Sequence, residues 1–259
     1  MSSEQWLVAA RRRLRLDVVP MMTRCPICKQ QFCDVKGDHS IICSRSSSRN
    51  LRHNGVRNMV AMATRQAGFK TCLEHHGGLT DGRRPGDVIV YNWEGEKHLL
   101  IDVAVIDPTA DTHKSDLIKG GVGWAATCYE KRKWDRYPDI DSSSYVFMPF
   151  ILETHGGASR VAINFCKELD QRRLSKTCIS SGENSSKVEL LEGLNIEVQK
   201  FNSTAILERT PPSDTLTMAT DIRHELAMKR THSLYLTCYF SSRTLKLFFY
   251  SSLCQIWPS

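Results

Sequence analysis

Three cysteines and one histidine near the N-terminus have the residue types and the spacing of zinc ligands. These residues are Cys25, Cys28, His39 and Cys43. The first two form a CxxC pair on one tight turn and the last two come from a second loop, so the four can complete a tetrahedron around a metal. Cys33 lies between the two pairs and is an alternative to His39. Because so short a segment cannot bury a core of its own, we predict a zinc-stabilised module over residues 21–47.

Two aspartates lie in two strand-like runs further along the chain: Asp87 at the start of the first run and Asp102 within the second. If Glu94-Gly95 forms a two-residue hairpin loop between these runs, position i pairs with position 189 − i and Asp87 faces Asp102. The carboxylates then project from one face with their Cβ atoms about 5 Å apart, and such a like-charged pair destabilises a sheet unless a cation compensates it. Paired carboxylates suit Mg²⁺ or Mn²⁺, so we predict a divalent metal site. The alternative is a turn residue at 87 and an exposed strand residue at 102.

The segments that must position these residues follow the order α-β-β-β-α-β. Apolar positions at helical spacing predict one helix over 49–67 and another over 122–137, which ends before Pro138. Runs of β-branched and apolar residues predict strands over 69–74, 87–91, 98–106 and 145–152. The assignment is completed by a basic helix over 5–15, a loop over 77–84, a helix over 161–174 and a polar linker over 180–187.

The positive charge of the chain is concentrated near its N-terminus. Residues 1–70 carry thirteen Lys or Arg against four acids, a balance of +9 within a total of +7. This asymmetry favours a polyanionic partner such as nucleic acid or an anionic membrane face, although a solubilising basic surface has the same signature. No apolar run is long enough to span a bilayer, and Arg11 to Arg15 occupy the place of an apolar signal region. We therefore expect an intracellular protein without membrane segments, whose ten cysteines are metal ligands or thiols.

These motifs together resemble the PD-(D/E)xK signature in the restriction-like endonuclease domains of non-LTR retrotransposons and their relatives. The acidic motif is Arg84-Pro85-Gly86-Asp87, followed after fourteen residues by Asp102-Val103-Ala104-Val105. The zinc module and Arg52-His53-Asn54 precede it, as in that group, and the helix after it carries a lysine at position 133. The resemblance covers about residues 14–174. It departs from the family pattern at position 104, where alanine replaces the usual lysine, and at Gly86, which separates the proline from the aspartate.

The resemblance implies a metal-dependent DNA endonuclease of retroelement origin. Its fold would be α/β, a restriction-endonuclease-like core with a mixed sheet and helices on both faces, preceded by a zinc knuckle. Asp87 and Asp102 would hold Mg²⁺ or Mn²⁺, and Glu74 would be an additional acid. Lys133 would replace the missing lysine, because helical spacing places it on the stripe that faces the sheet, whereas the alternative Lys131 lies off that stripe.

The corresponding organisation has four parts: a basic segment over 1–20, the zinc module over 21–47, a nuclease core over 48–175, and a segment over 176–259 of unknown role. Within the last part, the runs 234–239 and 245–250 fit a hairpin, an interaction segment or sequence that does not fold stably.

The nucleic-acid partner is expected to be DNA, with RNA as the alternative, and the location to be the nucleus. The residues assigned to its phosphates are Arg45, Arg49, Arg52, His53 and Arg57, supported by Arg11 to Arg15 and Arg24. Two other functions fit the same sequence. One is a zinc-dependent nucleic-acid-binding protein with an inactive nuclease-like core, and the other is a zinc-stabilised adaptor for protein partners.

Overall fold

Four strands form a mixed sheet with helices against both of its faces. The structure is a computed structural model that describes residues 1–74, 86–113, 120–177 and 189–210. The strands of the sheet are β3 (Thr71–Leu73), β4 (Val88–Glu94), β5 (Lys97–Ile106) and β6 (Tyr145–Glu153). They lie side by side in chain order, with β3, β4 and β5 antiparallel and β6 parallel to β5.

Six helices are described, and most agree with the helices predicted from the sequence. They are α1 (Ser3–Arg13), α2 (Asp38–Ile42), α3 (Ser48–Gln66), α4 (Trp124–Arg136), α5 (Arg160–Thr177) and α6 (Glu189–Leu207). The order α3-β3-β4-β5-α4-β6 confirms the predicted α-β-β-β-α-β arrangement, and the mixed sheet flanked by helices confirms the predicted fold class at that level. In the described part of the chain, no helix is sufficiently long and apolar to cross a bilayer.

The two faces of the sheet pack against different helices because side chains alternate along a strand. Ile101 and Val103 of β5 face the large core that includes α3, α5 and α6. Ile106 belongs to a smaller cluster with Ala125 and Ala126 of α4. Asp102, with the same strand parity as Ile106, is thus directed towards the α4 side.

The β4-β5 hairpin has the predicted register but a different turn. Val88 pairs with Ile101 and Val90 with Leu99, which confirms the relation 189 − i in the part of the hairpin next to the aspartates. Glu94 pairs with Lys97, so the loop is Gly95-Glu96 rather than the predicted Glu94-Gly95. An irregularity between Val90 and Glu94 absorbs the difference, as a β-bulge does.

The zinc module docks onto the rest of the chain through α6. It contains a short antiparallel ladder of β1 (Thr23–Arg24) with β2 (Phe32–Cys33), followed by α2. Gly37, at φ +75°, begins α2 where a Cβ would approach Ile206 of α6 to 2.7 Å. A side chain at this position would therefore push the module away from the helix on which it rests.

Helix α6 is the element to which the sequence analysis assigned no structure. Leu191, Leu194 and Val198 recur at helical spacing and are fully buried in the large core. That periodicity was the signal that could have identified it. Part of the segment over 176–259 therefore belongs to the core, whereas the predicted loop over 77–84, the linker over 180–187 and the runs 234–239 and 245–250 lie outside the described residues.

Candidate active site

The side chains of the four predicted zinc ligands lie close together in the N-terminal part of the chain. The donor atoms of Cys25, Cys28, His39 and Cys43 all lie within 4.8 Å of one another. A tight turn brings the first pair together, and Lys29 closes this turn with a positive φ and an N–H that donates to the Cys25 carbonyl. His39 and Cys43 are four residues apart at α2, where successive turns place them on the same side. Three sulfurs and one imidazole are a donor set that suits zinc, so this cluster can bind a zinc ion.

Hydrogen bonds from backbone N–H groups to Asp34 fix the position of His39. The carboxylate of Asp34 accepts backbone N–H groups from Lys36, Asp38 and His39 at 2.8 to 3.1 Å. Burial raises the pKa of Asp34, but these N–H donors outweigh burial and hold it below its usual value. Asp34 therefore stays ionised and fixes the N-terminus of the helix that carries His39.

Cys33, the alternative to His39, stands beside the cluster rather than within it. Burial raises the pKa of Cys33 to about 11 and also raises that of Cys43, so protonation does not distinguish these two thiols. The four donor atoms that lie within 4.8 Å of one another include that of His39 and not that of Cys33. The geometry therefore selects His39 and leaves Cys33 as a neighbouring buried thiol.

The second site lies where β4 begins beside the middle of β5. Asp87 directly precedes β4, and its N–H donates to the Ile101 carbonyl at 2.8 Å. Its Oδ2 accepts the Val103 N–H at 2.7 Å, and its Oδ1 lies 3.2 Å from Nε2 of His53 on α3. The regular register of the hairpin ends at the pair Val88 and Ile101, and Asp87 and Asp102 are the next residue on each side of that pair. Asp87 contacts His53 of α3 and is close enough to Lys133 of α4 for the ammonium to lower its pKa.

Lys133 reaches this site from α4. Its Nζ donates to Oδ2 of Asp102 at 2.8 Å, and the two side chains are only 13% and 11% exposed. The same ammonium lies 5.9 Å from the ring centre of Tyr129. Lys131, the competing lysine, is exposed. The structure thus brings Asp87, Asp102 and Lys133 together, and it adds His53 to them.

The two aspartates have different electrostatic environments. Burial raises the pKa of Asp87, but His53, the Val103 N–H and Lys133 together hold it below its usual value. For Asp102, burial raises the pKa, and the charge of Asp87 adds to the rise, while Lys133 opposes it. Asp87 is therefore the firmly ionised carboxylate, and Asp102 depends on Lys133 to keep its charge.

Glu153 fixes the helix that delivers Lys133, and sequence reasoning missed this role. Its carboxylate is buried at the end of β6 and accepts the N–H of Gly123 at 3.0 Å and that of Ala126 at 3.1 Å. A negative charge at this point stabilises the N-terminus of α4. The sequence feature that could have indicated this role is Glu153 itself, an acid directly after the apolar run 145–152.

Glu74, expected to be an additional acid of the site, and Arg57, expected to contact phosphate, form an ion pair with each other. Nη1 of Arg57 donates to Oε1 of Glu74 at 2.5 Å. The backbone N–H of Glu74 still bonds to the Asp87 carbonyl, at 2.9 Å. The expected metal-binding acid is therefore next to Asp87 in the backbone, but its carboxylate is directed to an arginine, and that arginine is committed to an acid rather than to a phosphate.

Arg52 is a structural residue, which corrects its assignment to DNA phosphates. It is 4% exposed, and its Nη1 donates to Oδ1 of Asn202 at 2.7 Å. Burial lowers its pKa to about 10. Arg11 and Arg12 are buried as well and are removed from the expected phosphate contacts for the same reason.

The surface arginines of this part of the chain fall into two groups. Arg24, Arg45 and Arg49 are exposed. Arg13 and Arg15 are exposed as well, but Arg13 donates to the His155 carbonyl and the Arg15 guanidinium lies 3.6 Å from the Asp38 carboxylate. His53 is partly buried and contacts Asp87, so it belongs to the acidic site rather than to this surface.

The side chains of the acidic site have complementary chemical roles. Carboxylates can hold a divalent cation, an ammonium can stabilise negative charge on a phosphate, and an imidazole can accept or donate a proton. No protein-family model matches this chain, and no curated protein matches it. The geometry of the site itself is therefore the basis for assigning its function.

Proposed function

We propose that this chain is a metal-dependent DNA endonuclease that hydrolyses phosphodiester bonds. The observation that carries the proposal is the contact of Lys133 with Asp102 at 2.8 Å, next to Asp87 on the neighbouring strand. A lysine two residues after the second acid is missing, and the helix after β5 supplies an ammonium instead. An acidic pair with an adjacent ammonium is one arrangement that can catalyse phosphodiester hydrolysis when a divalent cation is bound.

The topology supports a restriction-endonuclease-like core. The resemblance implies a mixed sheet with helices on both faces, and in the structure β3, β4 and β5 are antiparallel while β6 is parallel to β5. The helix between β5 and β6 carries Lys133 to the site. Fold and site therefore support the same function through separate observations.

In the proposed mechanism, Asp87 and Asp102 would hold Mg²⁺ or Mn²⁺. The bound cation would lower the pKa of a water molecule and neutralise charge on the phosphate. Asp87 is suited to this because His53 and the Val103 N–H keep it ionised and oriented. Lys133 would stabilise the charge that develops on the non-bridging phosphate oxygens, where a fixed ammonium is most effective in a partly dehydrated site. His53 would hold or transfer a proton beside Asp87.

The zinc module would have a structural and DNA-positioning role. It rests on α6 and contacts α3 through the carbonyl of Ile41, which accepts from Arg52 at 3.4 Å. Exposed Arg45 and Arg49 lie between the last zinc ligand and His53. Phosphate contacts by these arginines would place DNA next to the acidic site without reading its sequence.

One observation favours a second candidate, a zinc-dependent nucleic-acid-binding protein with an inactive core. Glu74 is paired with Arg57, so the acidic site contains two carboxylates rather than three. If two carboxylates do not retain a catalytic cation, the same surface would bind DNA without cleaving it.

Nicking of supercoiled plasmid in Mg²⁺ or Mn²⁺ tests the proposal. Wild type should nick, whereas Asp87→Asn should not, because the amide keeps an oxygen for the Val103 N–H but loses the charge that holds the cation. Lys167→Ala is the matched control and should nick at the wild-type rate, because this lysine is exposed on α5, which packs against the other face of the sheet.

DNA binding measured in parallel separates the alternatives. Zinc-dependent binding without nicking by wild type would favour the second candidate. Neither binding nor nicking would favour the protein adaptor. Equal nicking by wild type and Asp87→Asn would refute the assignment of the metal-binding carboxylates.

A further inference from the structure

The outer face of α4 differs sharply from the inner face that carries Lys133. Ala125 and Ala126 are fully buried against the sheet, and Lys133 faces Asp102. Trp134, the next residue, is turned about 100° around the helix and is 50% exposed. A large aromatic surface is therefore presented to solvent immediately beside the candidate active site.

One basic residue neighbours this exposed indole. Lys131 precedes Trp134 by three positions, which makes the two side chains neighbours on the helix surface, and Lys131 is exposed. Arg136, two positions after Trp134, is exposed on another side of the helix. An exposed aromatic ring beside a cation is complementary to a base and its neighbouring phosphate.

The position of Trp134 determines which form of nucleic acid it suits. In a duplex the faces of the bases are covered by their neighbours, so an indole can stack only on a base that is unpaired or displaced. The Cα atoms of consecutive residues are about 3.8 Å apart, so the backbone of Trp134 adjoins that of Lys133, the residue that contacts Asp102. A base on this ring would belong to the same short stretch of strand as a phosphate at Lys133.

We propose that Trp134 stacks on an unpaired base and that Lys131 contacts an adjacent phosphate. The substrate would then be DNA that is single-stranded at the cleavage position, such as a strand end, a gap or a bubble, rather than a continuous duplex. This inference rests on the proposed endonuclease function, and it names the substrate class of that site.

The binding experiment is done without divalent cation, so that cleavage does not contribute. Fluorescence anisotropy compares a labelled oligo(dT) with a duplex of the same length. Trp134→Ala should weaken oligo(dT) binding about tenfold, as expected for the loss of one stacked base, and change duplex binding less than about twofold. Trp134→Phe should restore most of the lost affinity, because a smaller aromatic ring still stacks.

Trp124 provides the matched control. It is 44% exposed on the same helix but lies about 15 Å away along the helix axis. Trp124→Ala should leave both affinities unchanged. The proposal is overturned if Trp134→Ala leaves oligo(dT) binding intact, if it weakens duplex binding equally, or if Trp124→Ala has the same effect.

Cleavage of gapped and continuous duplexes in Mn²⁺ separates this inference from the proposed function. Wild type should cleave the gapped substrate faster, and Trp134→Ala should lose that preference. Selective binding of oligo(dT) through Trp134 with no cleavage of any substrate would refute the nuclease and leave the surface assignment standing. Cleavage without any dependence on Trp134 would refute the surface assignment and leave the nuclease standing.

Discussion

Replacing Lys133 with alanine tests the acidic site most directly. The ammonium lies 2.8 Å from Asp102, and at an effective dielectric constant of about 20 the Coulomb attraction of such a pair is about 6 kcal/mol. This attraction positions Lys133 and does not itself change the rate, which depends on how much more strongly the ammonium acts on the transition-state phosphate than on the ground-state phosphate. Losing one charged donor that acts on the transition state lowers catalysis by about 10²-fold, or about 2.7 kcal/mol.

The assay is single-turnover nicking at saturating protein and cation, with DNA affinity measured separately. Lys133→Ala should lower the nicking rate by about 10²-fold and leave DNA affinity nearly unchanged, since Lys133 is mostly buried against Asp102. Lys167→Ala should change neither by more than about twofold, as expected for an exposed lysine on a helix at the other face of the sheet.

The pH dependence of stability provides an independent readout of the same variant. Burial raises the pKa of Asp102 in the folded state, so its contribution to the free energy of unfolding falls as the pH rises above its ordinary pKa of 3.8. Without Lys133 that pKa rises further. Lys133→Ala should therefore be destabilised most at neutral pH, and the difference from wild type should shrink when acid protonates Asp102. Nicking at the wild-type rate, or a stability difference that grows in acid, would refute the role of this ion pair.

Three further predictions concern the supports of the two sites. His39→Ala should lose bound zinc and lower the melting temperature, whereas Cys33→Ser should retain zinc, as mass spectrometry of the native protein would show; zinc loss from Cys33→Ser alone would reverse the ligand assignment. Glu153→Gln should destabilise the protein by about 1 to 2 kcal/mol in chemical unfolding and also slow nicking, because the neutral amide caps α4 less well; unaltered stability would contradict the capping role. Arg52→Ala should lower the free energy of unfolding by about 2 to 4 kcal/mol, because it removes a buried partner of Asn202. Arg49→Ala should leave the free energy of unfolding unchanged and should reduce the salt dependence of DNA binding by about one phosphate contact. If Arg52→Ala changed only the salt dependence and Arg49→Ala only the stability, Arg52 would be the DNA-contacting residue.

The parts of the fold that local sequence patterns encode were predictable. The CxxC spacing and the later histidine and cysteine indicated the zinc ligands, because a tight turn and an adjacent helical turn bring such residues together. The register of the β4-β5 hairpin followed from its length even though the turn was assigned one residue away, since the bulge compensates within the same strand pair. The choice of Lys133 over Lys131 followed from helical periodicity.

The fate of individual charges depended on residues far away in the chain. Arg52 is buried because Asn202, separated from it by 150 positions, provides an acceptor, and nothing near Arg52 in the sequence distinguishes it from exposed Arg49. The side chain of Glu74 is directed to Arg57 on α3, and this contact also depends on a residue from another element of the fold.

The sequence by itself determined which cysteines and histidine form a cluster that can bind zinc, where most helices and strands of the mixed sheet region lie, and which strand positions pair. Those properties arise from turn geometry and side-chain periodicity over a few residues. Only the tertiary structure decided which arginines are exposed, that Glu153 holds α4, and that α6 completes the core. A buried charge is stable only where packing supplies a partner, and a partner from another element is visible only once the chain has folded.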